Sequence, residues 1–266
     1  METRGVATSG FNNRIVADFI ESENLARMWI TGRHPVEELL SASIQRPGRI
    51  LLSEALPAET RNAFRDRSDA AGVPCFTCTK EEWERKTGDR DGSGIAAELG
   101  EYRYADLHDW IASVPKRATV FLLDGITDPQ NLGAILRSTR AFGVSGVIVP
   151  KDRSCPVTAA VFRASAGAAA HVPIVVVTNL SRAVETLQEN GFWLYAATEE
   201  GETDISSLAP AARTGIVLGS EEHGIRKLVR AKCDGSVRIP MEPGVDSLNV
   251  GVTAGILAFH LRTRQA

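Results

Sequence analysis

Six short apolar runs in the second half of the chain constrain its fold more than any other feature. Each holds three to five residues and is rich in Val, Ile and Leu: Val120–Leu123, Gly146–Val149, Pro173–Val177, Trp193–Ala196, Gly215–Leu218 and Val237–Ile239. Such runs are typical of strands buried on both faces of a parallel sheet. Helical patterns separate them, as in the i, i+3, i+4, i+7 series Leu132, Ile135, Leu136 and Thr139. We therefore predict a βαβ series, hence an α/β fold with a mostly parallel sheet.

The first half of the chain alternates helix and strand patterns over shorter distances. We expect helices at Val36–Ala42, Ala58–Ala71 and Lys80–Lys86, and strands at Arg49–Leu52 and Val73–Thr77. This alternation predicts a small α/β domain ahead of the larger one. The predicted divisions are a tail and helix over residues 1–28, with helical spacing from Asn13 to Met28, the small domain over 29–103, a linker over 104–116 and the large domain over 117–266.

The composition is that of a globular protein. Of the 266 residues, 43% are hydrophobic and 24% are charged, which excludes a disordered chain. No apolar run approaches the ~18 residues of a membrane span, and the polar N-terminus has no stretch of signal-peptide type. We expect a cytoplasmic protein with no membrane partner. Because the net charge is −3, any binding of nucleic acid must use local basic patches.

The cysteines predict neither a disulfide scaffold nor a metal centre. Cys75 and Cys78 form one C-x-x-C, whereas a zinc ribbon needs a second pair at suitable spacing. We expect these two residues to pack in the core as part of a short strand.

Several familiar catalytic signatures are absent from the sequence. There is no G-x-x-x-x-G-K-[ST], which excludes a P-loop, and no G-x-G-x-x-G after a strand, which disfavours a dinucleotide-dependent oxidoreductase. The hydrolase signature G-x-S-x-G is missing too. Function therefore has to be sought in other segments at strand ends, where α/β sheets bind ligands.

Three such segments stand out. In residues 123–143 a strand leads to a helix that we expect to begin near Asn131 and that carries Arg137 and Arg140 as i, i+3 neighbours. Asn131 and Arg137 are about 240° apart on a helix, so they can share a site only if Asn131 lies in the entering loop. The second segment, residues 216–225, follows a strand with a glycine turn and an acidic pair.

The third segment is residues 237–255. We expect Ser247 or Asp246 to cap a helix that follows it. Small residues along that helix permit close packing against a neighbour, either in this chain or in a second subunit: Gly251, Ala254, Gly255 and Ala258.

Taken in order, the three segments resemble the motifs of the TrmH family of RNA 2′-O-ribose methyltransferases, in the SPOUT class. The matching stretches are Asn131–Ala134 with Arg137, Leu218–Glu221, and Ile239–Met241 followed by Ser247–Val250. The stretch Glu222-His223 departs from some members, which we expect to alter loop shape rather than chemistry. The resemblance covers residues 117–266 and implies a deep trefoil knot in that domain, although knots are rare. It also implies a homodimer built through the knotted region and S-adenosylmethionine as cofactor.

Residues 29–101 resemble the L30e-type RNA-binding domain that often precedes the catalytic domain. The matching stretches are Ile30–Leu40, Ile50–Leu52, Ala71–Pro74 and Gly94–Ala97. The combination is similar to bacterial 23S rRNA guanosine 2′-O-methyltransferases. It implies methylation of a ribose in ribosomal RNA, with 23S rRNA and guanosine as the expected target. Transfer RNA is the alternative substrate, and a non-catalytic RNA-binding or ribosome-assembly protein is the alternative class.

The resemblance also implies roles for individual residues. The implied catalytic residues are Asn131, Arg137, Glu221, Ser247 and Asn249. The implied cofactor-binding residues are Thr198, Leu218, Gly219, Ile239, Met241, Leu248 and Asn249. The basic groups that we expect on RNA are Arg33, His34, Arg140, Lys151, Arg153 and Arg163.

Arg137 is the family's candidate for handling the 2′-hydroxyl. Arginine keeps its proton in proteins and is an awkward base. Two roles stay open for Arg137: it clamps the adjacent phosphate and stabilises the developing alkoxide, or that phosphate helps it to take the proton. Glu221 is expected to orient Arg137 or its own loop.

Overall fold

The computed structural model describes residues 28–90, 92–245 and 247–265, and their strands form two sheets. Most of the helix predicted over Asn13–Met28 lies outside these residues. At Met28 the prediction is wrong, because this residue begins a strand. Met28 pairs with Leu99 in an antiparallel ladder, and its side chain is buried.

The first sheet has four strands, in the order β1-β4-β2-β3. Strands β2 and β3 are parallel, and the other two pairs are antiparallel. Helices follow the first three strands, as the alternating pattern predicts. The elements are β1 (Met28–Thr31), α1 (Arg33–Ser41), β2 (Arg49–Ser53), α2 (Ala58–Ala70), β3 (Cys75–Cys78), α3 (Lys80–Thr87) and β4 (Ile95–Leu99).

The second sheet has seven strands, in the order β7-β6-β5-β10-β8-β11-β9, and all its neighbouring strands are parallel. The predicted α/β fold is confirmed. The elements are α4 (Leu107–Ser113), β5 (Ala118–Asp124), α5 (Pro129–Phe142), β6 (Gly146–Pro150), α6 (Ala159–Ala164), β7 (Ile174–Val177), α7 (Leu180–Glu189), β8 (Trp193–Ala197), β9 (Thr203–Asp204), β10 (Arg213–Gly219), α8 (Lys227–Arg230), β11 (Gly235–Arg238) and α9 (Val250–Gln265).

The six apolar runs all lie in this sheet, as predicted. The run at Val237–Ile239 is shifted, because β11 starts two residues earlier and ends at Arg238. The short elements β9 and α6 were not predicted, because their sequences contain no apolar run or helical repeat of sufficient length. No helix in the described part of the chain is long and apolar enough to cross a membrane.

A continuous core joins the two sheets. Ile30 and Leu39 from the first sheet and its helix belong to the same buried cluster as Phe162 and Ala169. The hydroxyl of Tyr102, which is buried between the two halves, donates a hydrogen bond to the carbonyl of Ala169 at 2.8 Å. The other face of the large sheet packs against α4 and α7 in a second cluster that includes Trp110.

Cys75 and Cys78 pack into different clusters. They are three residues apart on β3, so their side chains point to opposite faces of the sheet. Burial raises the pKa of both thiols. Both cysteines therefore act as small core residues.

Candidate active site

The carboxyl ends of β5 and β10 lie side by side, with Asp124 paired to Gly219. The buried carboxylate of Asp124 accepts two hydrogen bonds from Arg226, one from Nε at 2.7 Å and one from the backbone N–H at 2.9 Å. This ion pair ties the loop after β10 to the end of β5, and it brings the first two motif segments together.

Helix α5 begins at Pro129, two residues earlier than predicted. Proline suits this position because its missing N–H would have no partner there. The Asp128 carboxylate caps the helix by accepting from the N–H groups of Gln130 and Asn131, each at 3.2 Å. Asn131 therefore sits in the first turn of the helix rather than in the loop that enters it.

Asn131, Glu221 and Asn249 meet in a hydrogen-bonded group, which we call the amide–carboxylate cluster. The Asn249 Nδ2 donates to Glu221 Oε1 at 2.7 Å and to Asn131 Oδ1 at 2.8 Å. The Asn131 Nδ2 is 3.4 Å from the same oxygen of Glu221. Three predicted catalytic residues, one from each motif segment, thus share one site.

The cap of α9 is a correction to the sequence prediction. The Asn249 Oδ1 accepts from the N–H groups of Gly251 at 2.9 Å and Val252 at 3.4 Å, so Asn249 caps the helix rather than Ser247. Asp246 lies outside the described residues. Helix α9 packs closely on α5, since a Cβ on Gly251 would lie 2.6 Å from the Cβ of Ala134. The small residues therefore serve a contact within this chain.

Arg137 lies away from the cluster. Its side chain is exposed on α5, and none of the residues in the described ranges pairs with it. Since Asn131 is helical, the two residues are on faces about 240° apart. Glu221 therefore orients its own loop and the two asparagines. It does not contact Arg137, which was the other predicted target of this orienting role.

A cavity of about 440 Å³ opens beside the cluster, within the usual range of ~300–1,000 Å³ for small-molecule pockets. Its wall includes six of the seven predicted cofactor residues, and Asn249 lies next to it between two lining residues. The predicted residues in the wall are Thr198, Leu218, Gly219, Ile239, Met241 and Leu248, together with Ser247. Glu199 and Glu200 also lie in the wall, in the loop Thr198–Gly201 that the sequence offers as a fourth cofactor loop. The sequence reasoning missed other wall residues, among them Arg230 and Thr253.

The cavity wall fits S-adenosylmethionine chemically. The Thr198 hydroxyl is buried without a hydrogen-bond partner in the described structure, so it is available to a ligand. Apolar side chains suit a purine ring. Four carboxylates against one arginine suit a ligand that carries a sulfonium and an ammonium group. These charged wall residues are Glu199, Glu200, Glu221, Glu222 and Arg230.

Gly219 is essential to the shape of this wall. A Cβ at this position would lie 2.2 Å from the carbonyl carbon of Gly224. The loop after β10 therefore folds back against its own backbone, which only glycine permits. As a result, the cavity wall beside Ser220 is formed by the backbone of Gly219 and not by a side chain.

The predicted RNA-binding residues do not gather in one place. Arg33 and His34 start α1 and both lie near Glu37, at 3.2 Å and 3.6 Å. Burial raises the pKa of the Glu37 carboxyl, but hydrogen bonds from Arg67 and Arg33 outweigh it, so the pKa is lowered overall. These two residues are thus partly engaged within the small domain.

The other predicted RNA-binding residues belong to the large sheet. Arg140 is exposed on α5, and Arg163 is exposed on α6. Lys151 and Arg153 follow β6, and Arg153 borders a second cavity of about 400 Å³ that also includes Asn131, Glu221 and Arg226. Arg153 is therefore the one among them that approaches the amide–carboxylate cluster.

Comparison with known proteins agrees with this geometry. Residues 118–259 match the SpoU rRNA Methylase family. A 23S rRNA (guanosine-2′-O-)-methyltransferase, RlmB, from Xanthomonas campestris pv. campestris is 35% identical over 234 residues, covering 87% of this chain and 94% of that protein. A relative from Staphylococcus saprophyticus is 37% identical over 235 residues, with the same coverage, and its TrmH family name includes both tRNA and rRNA.

Solved structures share the fold. An AdoMet-bound rRNA methyltransferase from Sinorhizobium meliloti has a TM-score of 0.76 at 19% identity, covering 100% of this chain and 98% of that one. The SpoU methyltransferase AviRb from Streptomyces viridochromogenes, in complex with AdoMet, has a TM-score of 0.76 at 21% identity, covering 95% and 97%.

The fold and the site define an RNA methyltransferase of α/β architecture. The chain belongs to the SpoU family, in which TrmH-type enzymes are grouped. It is an RNA 2′-O-methyltransferase, and its cofactor is S-adenosylmethionine.

Proposed function

We propose that this enzyme methylates the ribose 2′-oxygen of a guanosine in 23S rRNA. The observation that carries the proposal is the amide–carboxylate cluster at the edge of the cofactor cavity, which joins all three motif segments. The choice of substrate is supported by the similarity to RlmB over nearly its whole length. Transfer RNA is the second candidate, because the Staphylococcus relative is named for both RNA classes.

The chemistry follows from the residues at the site. S-adenosylmethionine supplies a methyl group that is already activated by a positive sulfur. The protein has to place the 2′-oxygen in line with that methyl group, and such positioning accounts for much of the acceleration in two-substrate reactions. Asn131 keeps one amide hydrogen and one lone pair for a ribose hydroxyl. The Asn249 amide is fully used by Glu221, by Asn131 and by the start of α9, so its role is to position Asn131. Arg137 stabilises the alkoxide and clamps the neighbouring phosphate.

The same proposal includes a homodimer through the second half of the chain. Val252, Ile256 and Phe259 are 52%, 36% and 57% exposed and follow i, i+4, i+7 spacing on α9. An apolar stripe of this kind is a common sign of a protein interface. Since Arg137 stands apart from the cluster in its own chain, a dimer could supply an arginine to each cluster.

Three further parts of the proposal rest on the family resemblance. They are a trefoil knot in the second half, an RNA-binding role for residues 29–103, and a cytoplasmic location. The strand order is compatible with a knot, since β10 lies between β5 and β8 rather than beside its neighbours in sequence.

Radiolabelled methyl transfer tests the proposed substrate. The enzyme and S-adenosylmethionine are incubated with separated ribosomal and transfer RNA from a strain that lacks this protein. We expect label in 23S rRNA, in alkali-resistant dinucleotides that contain guanosine. Label confined to transfer RNA would establish the second candidate. If neither RNA is labelled although the cofactor binds, the same assay on pre-ribosomal particles decides whether the assembled particle is the substrate.

A further inference from the structure

Three segments of the second half carry basic residues and no acidic ones. Residues 110–123, 129–151 and 247–266 contain no Asp or Glu, although the whole chain has a net charge of −3. These three segments carry seven Lys and Arg residues: Lys116, Arg117, Arg137, Arg140, Lys151, Arg262 and Arg264. The segments include β5, β6, α5 and α9, so the fold places them next to each other.

A small cavity of about 220 Å³ lies where these segments meet, and we call it the arginine pocket. It is lined by the start of β5, the end of α5 and the α9 residues Ala258 and Arg262. Arg117 and Arg262 are the charged residues in its wall, and neither pairs with an acidic group in the part of the chain described. Arg262 reaches across to α5, since its Nη1 lies 3.8 Å from where a Cβ on Gly143 would be.

The partial negative charge at the C-terminus of α5 is too small to neutralise two arginines. The carbonyls at a helix C-terminus carry about half of one negative charge, and Gly143 closes this helix in the left-handed conformation, with φ at +70°. Two guanidinium groups bring two full positive charges that cannot be lost by deprotonation. More than one positive charge is therefore left without a partner in the arginine pocket.

The size and chemistry of the pocket fit one phosphate group. Its volume is below the ~300–1,000 Å³ of pockets for small organic ligands. The planar forks of arginine match phosphate oxygens in geometry. The pocket lies at the opposite end of β5 from the amide–carboxylate cluster, so at ~3.3 Å per residue the two are roughly 20 Å apart. A phosphate there would lie about six nucleotides along a helical strand from the target ribose.

We propose that the arginine pocket binds a backbone phosphate of the substrate RNA, several nucleotides from the methylated ribose. Arg140, exposed on α5, lies on the same helix between Arg137 and the pocket and extends the basic surface. Arg262 is three residues beyond Phe259, about 60° round α9 from the near edge of the apolar stripe. The rings of Phe259 and the pocket residue Phe142 are 5.7 Å apart, so the pocket borders that stripe.

The test compares the double variant R117Q/R262Q with the control R182Q/K227Q. The control removes the same charge from two exposed basic residues whose side chains have no partner among the described residues. RNA binding is measured by filter retention from about 50 to about 200 mM salt, because each lost phosphate contact lowers the log–log salt slope by about 0.7–0.9. The KM for RNA, kcat at saturating RNA, and cofactor affinity are measured in parallel.

We expect R117Q/R262Q to have a lower salt slope and a KM for RNA raised several-fold at low salt, with kcat and cofactor affinity unchanged. The control variant should match the wild type in all four. A salt slope and KM equal to those of the control would overturn the proposal. It would be overturned equally if kcat, cofactor affinity or the oligomeric state on size-exclusion chromatography changed along with KM. If R117Q/R262Q lost the binding of inorganic phosphate but kept RNA binding intact, the pocket would be a site for a free anion instead.

Discussion

The Nδ2 of Asn249 lies 2.7 Å from Oε1 of Glu221, and this bond joins the loop after β10 to the start of α9. The same carboxylate oxygen accepts from the backbone N–H of Val250 at 3.3 Å. A negative charge at a helix N-terminus is favourable, so Glu221 stabilises both the helix start and the orientation of the Asn249 amide. Asn131 depends on the same oxygen, which makes Glu221 the residue that positions both asparagines.

Replacing Glu221 tests this positioning role. We expect Glu221→Ala to lower kcat by about 10²-fold, since small displacements of positioned groups cost that much. Glu221→Gln keeps an acceptor oxygen and should retain more activity than Glu221→Ala. The matched control is Glu189→Ala, an exposed acid on α7 that lies in the wall of neither cavity beside the cluster. If Gln and Ala at residue 221 were equally inactive, the charge itself and not the hydrogen bonds would be decisive.

Arg137→Ala should abolish methyl transfer while cofactor affinity stays within a few-fold of the wild type. Arg137 is exposed and lies outside the wall of the cofactor cavity, so its loss leaves that wall intact. Removing a group that stabilises a developing oxyanion typically costs about 10²–10³ in kcat. Arg182→Ala, at an exposed arginine of α7 whose side chain has no partner among the described residues, is the control. Equal loss of cofactor binding and turnover would assign Arg137 to folding or to the cofactor.

The sequence alone predicted the parallel sheet because buried strands leave continuous apolar runs, as in β5 and β7. It could not predict α5 to the residue, since the cap at Asp128 and the proline after it were read as parts of a turn. The cofactor residues were predicted from the family resemblance, and the cavity wall contains six of the seven. Arg230 was missed because it follows the second motif segment, where nothing in the sequence distinguishes it from an ordinary exposed basic residue.

The contacts around Arg137 were beyond sequence reasoning for a different reason. The helical angle between Asn131 and Arg137 follows from their spacing, but which of them faces the cavity depends on how α9 packs on α5. That packing is set by the contact of Gly251 with Ala134, two residues far apart in sequence. A single chain also cannot indicate what a second copy adds to the site.

Gly219→Ala should reduce cofactor affinity by tenfold or more. The added Cβ would meet the backbone at Gly224, which cannot move aside as a flexible side chain does. Overpacking of this kind costs about 1–3 kcal/mol, and here it would displace the loop that lines the cavity. Calorimetric titration with S-adenosylmethionine measures the effect. Gly100→Ala is the control, because its Cβ would meet nothing within 4 Å, its φ is not positive and it lies outside the cavity wall.

Ile256→Glu should convert the proposed dimer to a monomer and lower methyl transfer. The substitution puts a charge in the middle of the apolar stripe on α9, where it would be buried against the second copy without a partner. Sedimentation equilibrium reports the mass. The control Ala112→Glu adds the same acid to an exposed position of helix α4. A monomeric wild type, or a dimeric Ile256→Glu variant, would contradict an interface at this stripe.

Tyr102→Phe should destabilise the protein by about 1–2 kcal/mol, because it leaves the buried carbonyl of Ala169 without its donor. The ring stays in place, so its edge-on contacts with Tyr104 and Phe162 are kept. Urea unfolding followed by tryptophan fluorescence gives the change. The control is Tyr195→Phe, whose half-buried hydroxyl has no hydrogen-bond partner in the described structure. Because Tyr102 joins the two sheets far from the cofactor cavity, kcat should be unchanged. If the Tyr102→Phe enzyme were as stable as Tyr195→Phe, this hydrogen bond would not hold the two halves together.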